Sequence, residues 1–389
     1  MSPVLCLDDF RELARKKKSD TPTLFSYYET GAGDEQTLED SIAAFKRFRL
    51  IPRLLRLQPN LDLKTTVQGH TIRVPFGIAP TAIQVTAHPD GEKATAKAAG
   101  KFGTIMIVSS ISQTPIEEIV EAAPDTHLWM QTYIFKNRRN TIDLVKRAER
   151  LGFKGIVVTV DSPVIGEFKR AGKQYEDYSE EYDKKYSKEE GTVPFEVKGV
   201  SLANFRAAPE EIAAARASGD EGLFAYAREK IQSPVNWTDV TRLATMTRLP
   251  IIVKGVITAE GAREAVAAGV QGIIVSAHGG RQLDGIQAPI EALPAIIDAV
   301  RGFDVEVYMD GGVRSGRDIF KALAIGAKAV FIGRPIIWGL IVNGAQGVLD
   351  VLEMLENELK NTMALCGCNK VSEVTRSFVQ HESQLICRL

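Results

Sequence analysis

The stretch PIIVKGVITAEGAREAVAAGVQGIIVSAH, residues 250–278, decides the fold. It opens on a continuous apolar run, PIIVKG, and passes through TAEGAREAVAAG, which has helical patterning and stops at Gly269, a usual end for a helix. A second continuous apolar run, GIIVSAH, follows. Runs rich in Ile and Val that do not alternate with polar residues belong to strands buried on both faces, as parallel strands are. The stretch is one strand–helix–strand unit.

Working outward, the unit recurs. Similar runs are VPFGIAP (74–80), TIMIVSS (104–110), HLWMQTY (127–133) and GIVVTVD (155–161) on the N-terminal side, and VEVYMDG (305–311) and AVFIGRP (329–335) on the C-terminal side. Helical patterning separates most of them, as in NTIDLVKRAERLG and SGRDIFKALAIG. Eight β–α units in succession predict the α/β class and a (β/α)8 TIM barrel rather than a doubly wound sheet. The whole chain, 1–389, reads as one barrel domain. Residues 1–73 form an N-terminal helical extension or cap, 74–339 the barrel, and 340–389 a C-terminal helix and tail. A long loop insertion after strand four, 165–235, is dense in charge and tyrosine (EFKRAGKQYEDYSEEYDKKYSKEEG). It reads as a mobile loop over the strand ends, with a solvated linker as the plainer alternative.

Composition narrows the function. Of 389 residues 44% are apolar, enough for a large core, and 48 basic against 49 acidic side chains leave a net charge of −1. That balance gives no pull toward nucleic acid or an anionic membrane. Cys6, Cys366, Cys368 and Cys387 are too few and too near the ends for a disulfide framework, and Cys366-Gly367-Cys368 lacks zinc spacing, so no metal is expected. The N-terminal sequence lacks a signal-peptide layout, and no run approaches the roughly 20 apolar residues of a membrane helix. A soluble intracellular protein is expected. The ending Cys387-Arg388-Leu389 has the shape of the SKL peroxisomal address, with the cytoplasm as the alternative.

Active sites of this barrel lie at the C-terminal ends of the strands. In order, those ends supply Ala79-Pro80-Thr81-Ala82, Ser109, Gln131 and Tyr133, Thr159 and Asp161, Lys254, His278 and Arg281, Asp310-Gly311-Gly312-Val313-Arg314, and Gly333-Arg334. Each has a plain reading as a surface polar group, but polar groups at one rim of all eight strands point to a site. Glycines with an arginine after strands seven and eight are the usual barrel site for a phosphate. The chain has no GxGxxG opening a βαβ unit and no Walker loop, which disfavours nicotinamide dinucleotides and ATP.

SAHGGRQLDG (276–285), DGGVRSGRDIFKALAIGAKAVFIGRPIIWGL, PFGIAPTAIQVTAHPDGE and SYYETGAGDEQTLEDSIAAFKRFRL resemble the FMN-dependent 2-hydroxy acid oxidase family from about residue 8 to 380. The resemblance implies FMN held by Ala79, Pro80, Thr81, Ala82, Ser109, Gln131, Thr159, Lys254, Ser276, Asp310, Gly312, Arg314, Gly333 and Arg334. It implies Tyr27, Tyr133 and Arg281 around the substrate, His278 as general base, and Asp161 stabilising the protonated histidine, with Tyr133 assisting catalysis. The implied reaction is an (S)-2-hydroxy-acid oxidase's, turning a small 2-hydroxy acid into the 2-oxo acid with O2 reduced to H2O2. It implies a homo-oligomer, a tetramer by resemblance. Arg281 suits a carboxylate as a bidentate clamp, and imidazole titrates near neutrality.

Three positions depart from the pattern. Ala277 stands where the family has Asn, Ile111 replaces a bulky aromatic, and Phe168 occupies the place of an arginine, with Lys169 and Arg170 beside it. The apolar residues Ile111 and Phe168 point to a longer or more hydrophobic acid than glycolate, while Phe168 and Ala277 keep open a catalytically impaired flavin-binding protein. Two further alternatives stand beside it: a same-family dehydrogenase with another electron acceptor, and a barrel that binds a sugar phosphate without flavin.

Overall fold

A computed structural model describes residues 4–19, 22–56, 60–164, 166, 196–197, 200–201, 203–204 and 234–386. Most of the 165–235 insertion, including Phe168, Lys169 and Arg170, lies outside the described residues, as does Cys387-Arg388-Leu389.

The eight expected runs form eight parallel strands in one closed barrel: β1 Phe76–Ile78, β2 Ile105–Val108, β3 His127–Thr132, β4 Ile156–Thr159, β5 Ile251–Val256, β6 Gly272–Val275, β7 Glu306–Asp310 and β8 Ala329–Ile332. Pairing of Ile156 with Ile251 and of Val330 with Phe76 closes the ring. Side chains alternate along a strand. One parity points into the barrel and fills it with Ile105, Ile107, Trp129, Val157, Ile252, Ile274, Tyr308 and Phe331, all buried. Trp129, Tyr308 and Phe331 meet there in tilted or edge-on ring contacts 5.5–5.7 Å apart. The same parity, carried two residues further, brings Gln131, Thr159, Lys254, Ser276, Asp310 and Gly333 to the barrel's upper mouth. The strand period thus places the site.

Two features refine the expected boundaries. The cap is only partly helical: beyond Leu7–Lys17, Pro22–Glu29 and Gln36–Ala43 it contains an antiparallel hairpin, Thr65–Val67 with His70–Ile72, that closes the barrel floor with buried Val67 and Ile72. Phe48–Leu50 of the cap pairs with Val379–His381 of the tail. The second feature is at the C-terminal end. A helical segment, Arg334–Cys366, runs directly from the end of β8 and is divided into two helices by a kink at Asn343 (φ −152°, ψ 34°) and Gly344 (φ 55°, ψ −138°). A Cβ on Gly347 would lie 2.0 Å from the Gly339 carbonyl oxygen, and one on Gly316 would lie 2.1 Å from the Leu359 amide. Glycine at these points lets the second of the two helices pack against the first and against the helix Gly316–Ile325. The segment therefore belongs to the helical ring. By length and composition this segment could cross a membrane, but its apolar stretch is mostly buried in the protein, and packing accounts for it.

Candidate active site

The barrel mouth opens into a cavity of about 240 Å3. Every predicted site residue except Asp161 and Ser276 lines it, and those two stand behind lining residues. Ser276 Oγ accepts from Lys254 Nζ (2.9 Å) and from the His278 amide (3.0 Å). Lys254 is 4% exposed, with its Nζ 3.4 Å from Asp310 Oδ2. Gln131 Nε2 donates to Thr159 Oγ1 at 2.9 Å, and Gln131 Oε1 accepts from the Ser110 amide. Ser109 Oγ accepts from the Ile111 amide.

The segment after β6 builds the reactive end. His278 (φ 53°), Gly279 (φ 65°) and Gly280 (φ 73°) are all left-handed, so the chain coils back within three residues. This brings Arg281 into the same cavity as His278. The His278 imidazole lies with Nδ1 2.7 Å from Asp161 Oδ1. Since a carboxylate only accepts, Nδ1 carries the proton and Nε2 is left as the basic nitrogen. Burial raises the Asp161 pKa, but His278 and Lys254 outweigh it and hold the carboxyl below its ordinary value. Gly255 (φ 109°) sits where β5 shifts register, and a Cβ there would fall 2.5 Å from Asp161. Its bare Cα makes room for the carboxylate.

Arg281 is tied to the cap. Its Nη1 donates to the carbonyls of Tyr27 (2.6 Å) and Thr30 (3.2 Å), and its guanidinium lies 4.8 Å from the Tyr27 ring centre. Tyr133 lines the cavity, and burial followed by the Asp161 charge raises its pKa. Residues not anticipated are Tyr28, Ser162 and Gln282. Gln282 Oε1 accepts from the Gly166 amide at 2.7 Å, pinning the chain after β4. Gln282 lay inside the quoted motif, but its partner is 116 residues away and gives no local signal.

The other end of the cavity is cationic. Arg334 Nε and Nη2 donate to the Tyr28 and Thr30 carbonyls, and Nη1 to the Gly279 carbonyl. Arg314 donates to its neighbour's carbonyl and lies 5.1 Å from the Trp338 ring centre. Among the described residues neither arginine has a carboxylate at ion-pair distance. Burial lowers both pKa values, and nearby Arg281 and Arg314 lower that of Arg334 further. Arginine keeps its proton at any ordinary pH, so two half-buried cations facing one cavity call for an anion. Gly333 lies beside them, where a Cβ would meet no described atom closer than 3.9 Å. A phosphate fits this cradle, and the Lys254 end suits the polar edge of a flavin.

Half-buried arginines at the ends of β7 and β8, with a histidine–carboxylate pair across the same mouth, define a phosphate-cofactor barrel enzyme of the flavin type. The chain belongs to the FMN-dependent dehydrogenase family, whose pattern matches residues 16–381. Its cofactor is FMN. It is 42% identical over 387 residues to human 2-hydroxyacid oxidase 1, and over 387 residues to a peroxisomal (S)-2-hydroxyacid oxidase of Arabidopsis thaliana, covering 99% of each chain in both cases. The solved structure of mandelate oxidase superposes with a TM-score of 0.81 at 33% identity, covering 97% of this chain and 98% of that one.

Proposed function

We propose that the protein oxidises a small 2-hydroxy acid to the 2-oxo acid, with Arg281 holding the carboxylate and His278 taking a proton from the substrate. The observation that carries this reading is the 2.7 Å His278–Asp161 contact in one cavity with Arg281. FMN, when bound, supplies the two-electron chemistry, accepting the electrons of the carbinol and passing them to dioxygen as hydrogen peroxide. Arg334, Arg314 and the Gly333 backbone would hold its phosphate; Lys254, Gln131, Thr159 and Ser109 would meet its polar edge, and residues 79–82 its flank. Lys254 places a positive charge where negative charge gathers on reduction. Ser276 acts from behind, holding the Lys254 ammonium. Asp161 orients the imidazole and stabilises it once Nε2 is protonated. Tyr27 and Tyr133 offer hydroxyls to the substrate's polar groups.

Ile111 lines the cavity, where it gives an apolar wall. A substrate with an apolar side chain suits that wall better than the smallest hydroxy acid. The relative named as peroxisomal supports the same compartment for this chain, and the expected tetramer is likewise proposed.

The test mixes FMN-loaded protein anaerobically with a series of 2-hydroxy acids and follows the visible absorbance of oxidised flavin. Bleaching by one class identifies the substrate, and admitting oxygen with peroxide assayed identifies the acceptor. Bleaching without peroxide indicates a dehydrogenase. Yellow protein that no acid bleaches overturns the proposal in favour of a flavin-binding protein without turnover.

A further inference from the structure

Ser162 follows Asp161 at the end of β4 and lines the cavity. Its Oγ donates to Asp161 Oδ1 at 3.0 Å, the same oxygen that accepts His278 Nδ1–H at 2.7 Å, and lies 3.5 Å from that nitrogen. The other carboxylate oxygen, Asp161 Oδ2, is buried and finds no hydrogen-bond partner among the described residues. Among the described residues, hydrogen bonding to this carboxylate therefore converges on Oδ1, and Ser162 shares that oxygen with the base.

We propose that Ser162 is a positioning residue for the base: by sharing Oδ1 with His278, its hydroxyl limits how strongly Asp161 favours protonated His278. The inference rests on the role given above to His278. The charged and titratable groups around Asp161 are His278, Lys254 and Tyr133, and Tyr133 in turn faces Tyr27 and Arg281. None of them replaces the Ser162 hydrogen bond on Oδ1. Removing the hydroxyl concentrates the carboxylate charge on the His278 contact, which favours the imidazolium. The pKa of His278 should then rise, by about half a unit to one unit for one lost hydrogen bond.

The experiment compares wild type, S162A and S162T as FMN-loaded proteins. Nitrogen-15 NMR follows the titration of His278, assigned by loss of its signals in H278N, and kcat/KM is measured against pH. The expected result is an upward displacement of the His278 titration in S162A, with the acid limb of kcat/KM moving the same way, and restoration of both in S162T. A folded S162A with an unmoved His278 titration overturns the proposal, even if its activity falls. S162T behaving like S162A also overturns it, because the hydroxyl would then not be the active feature. The NMR titration needs no turnover. A wild type that oxidises no hydroxy acid yet shows the displacement would refute the proposed function and leave this linkage standing.

Discussion

His278 holds a left-handed backbone that costs a residue with a side chain about 1–2 kcal/mol. Several bonds over-determine it. Its amide is held by Ser276 Oγ, its ring by Asp161, and the Gly280 carbonyl accepts from the Ala32 amide in the cap. Strain kept at such a point marks a side chain required for its chemistry. H278N should therefore leave the melting temperature nearly unchanged, because Asn tolerates left-handed backbone. It should lower kcat/KM by about 10²–10⁴-fold, the usual contribution of a general base. Steady-state kinetics beside a thermal melt check both halves; a large stability loss with activity retained would contradict the assignment. The residues of this chemistry were legible because SAHGGRQLDG puts them on one short segment after a strand. Gly255 was not, since it meets Asp161 across the β4–β5 mouth, and Ser162 was not, since only the fold brings His278 onto the carboxylate oxygen that Ser162 holds.

At the scale of elements, the barrel strands were legible because each is a short continuous apolar run ending in polar residues. The hairpin plugging the floor was hidden for a physical reason. Its strands are three residues each, and their burial depends on the barrel they close. Near it, at the start of β3, His127 is pressed between the rings of His70 and Trp129, at 4.9 and 6.4 Å. Among the described residues its Nε2 and the Trp129 Nε1 are buried without hydrogen-bond partners. Burial, with lesser help from the charges of His70 and Lys154, lowers the His127 pKa to about 4. The folded state thus favours neutral His127. Its contribution to stability is complete above the unfolded pKa near 6.5 and is lost as pH falls from there toward 4. H127F, which removes the titration and keeps an aromatic ring, should flatten the fall in stability across that window by about 2–3 kcal/mol. Urea melts at several pH values measure this, and an unchanged acid slope in H127F would refute it.

The segment after β8 carries a kink close to the expected boundary at residue 340: Asn343 and Gly344 leave helical geometry, and two helices meet there within Arg334–Cys366. The bend depends on Gly339 and Gly347 approaching backbone to backbone, eight residues apart, which is a property of packing.

Across the whole molecule, the cap and the barrel mouth are joined by the side chains that build the site. Arg281 and Arg334 both donate to cap carbonyls, while Asp284, also from the segment after β6, accepts from the amides of Asp34, Gln36 and Thr37. Those amides open the helix Gln36–Ala43, so Asp284 supplies from a distant segment the capping a local residue would otherwise give. One consequence concerns the cofactor. FMN at a hundred times its dissociation constant should stabilise the fold by about 2.7 kcal/mol. The melting temperature should rise with FMN concentration in the wild type, and R334A should require far more FMN for the same rise. An equal response would remove Arg334 from the phosphate site.

Cap docking itself can be tested apart from the cofactor. D284A leaves three amides at a helix start without their acceptor, a loss on the scale of a missing helix cap, about 0.5–2 kcal/mol. Because the barrel ring closes without the cap helices, that loss should fall on the cap alone. Hydrogen exchange should quicken at Asp34, Gln36 and Thr37 and at the helix they begin, while β1–β8 keep their protection. Tyr27 and the carbonyls that hold Arg281 lie on the same cap, so the substrate KM should rise in D284A while FMN affinity changes less. Uniformly faster exchange through the barrel would show instead that cap and barrel unfold as one unit. Asp284 would then be part of the general stability of the molecule and not a local tether of the substrate side of the site.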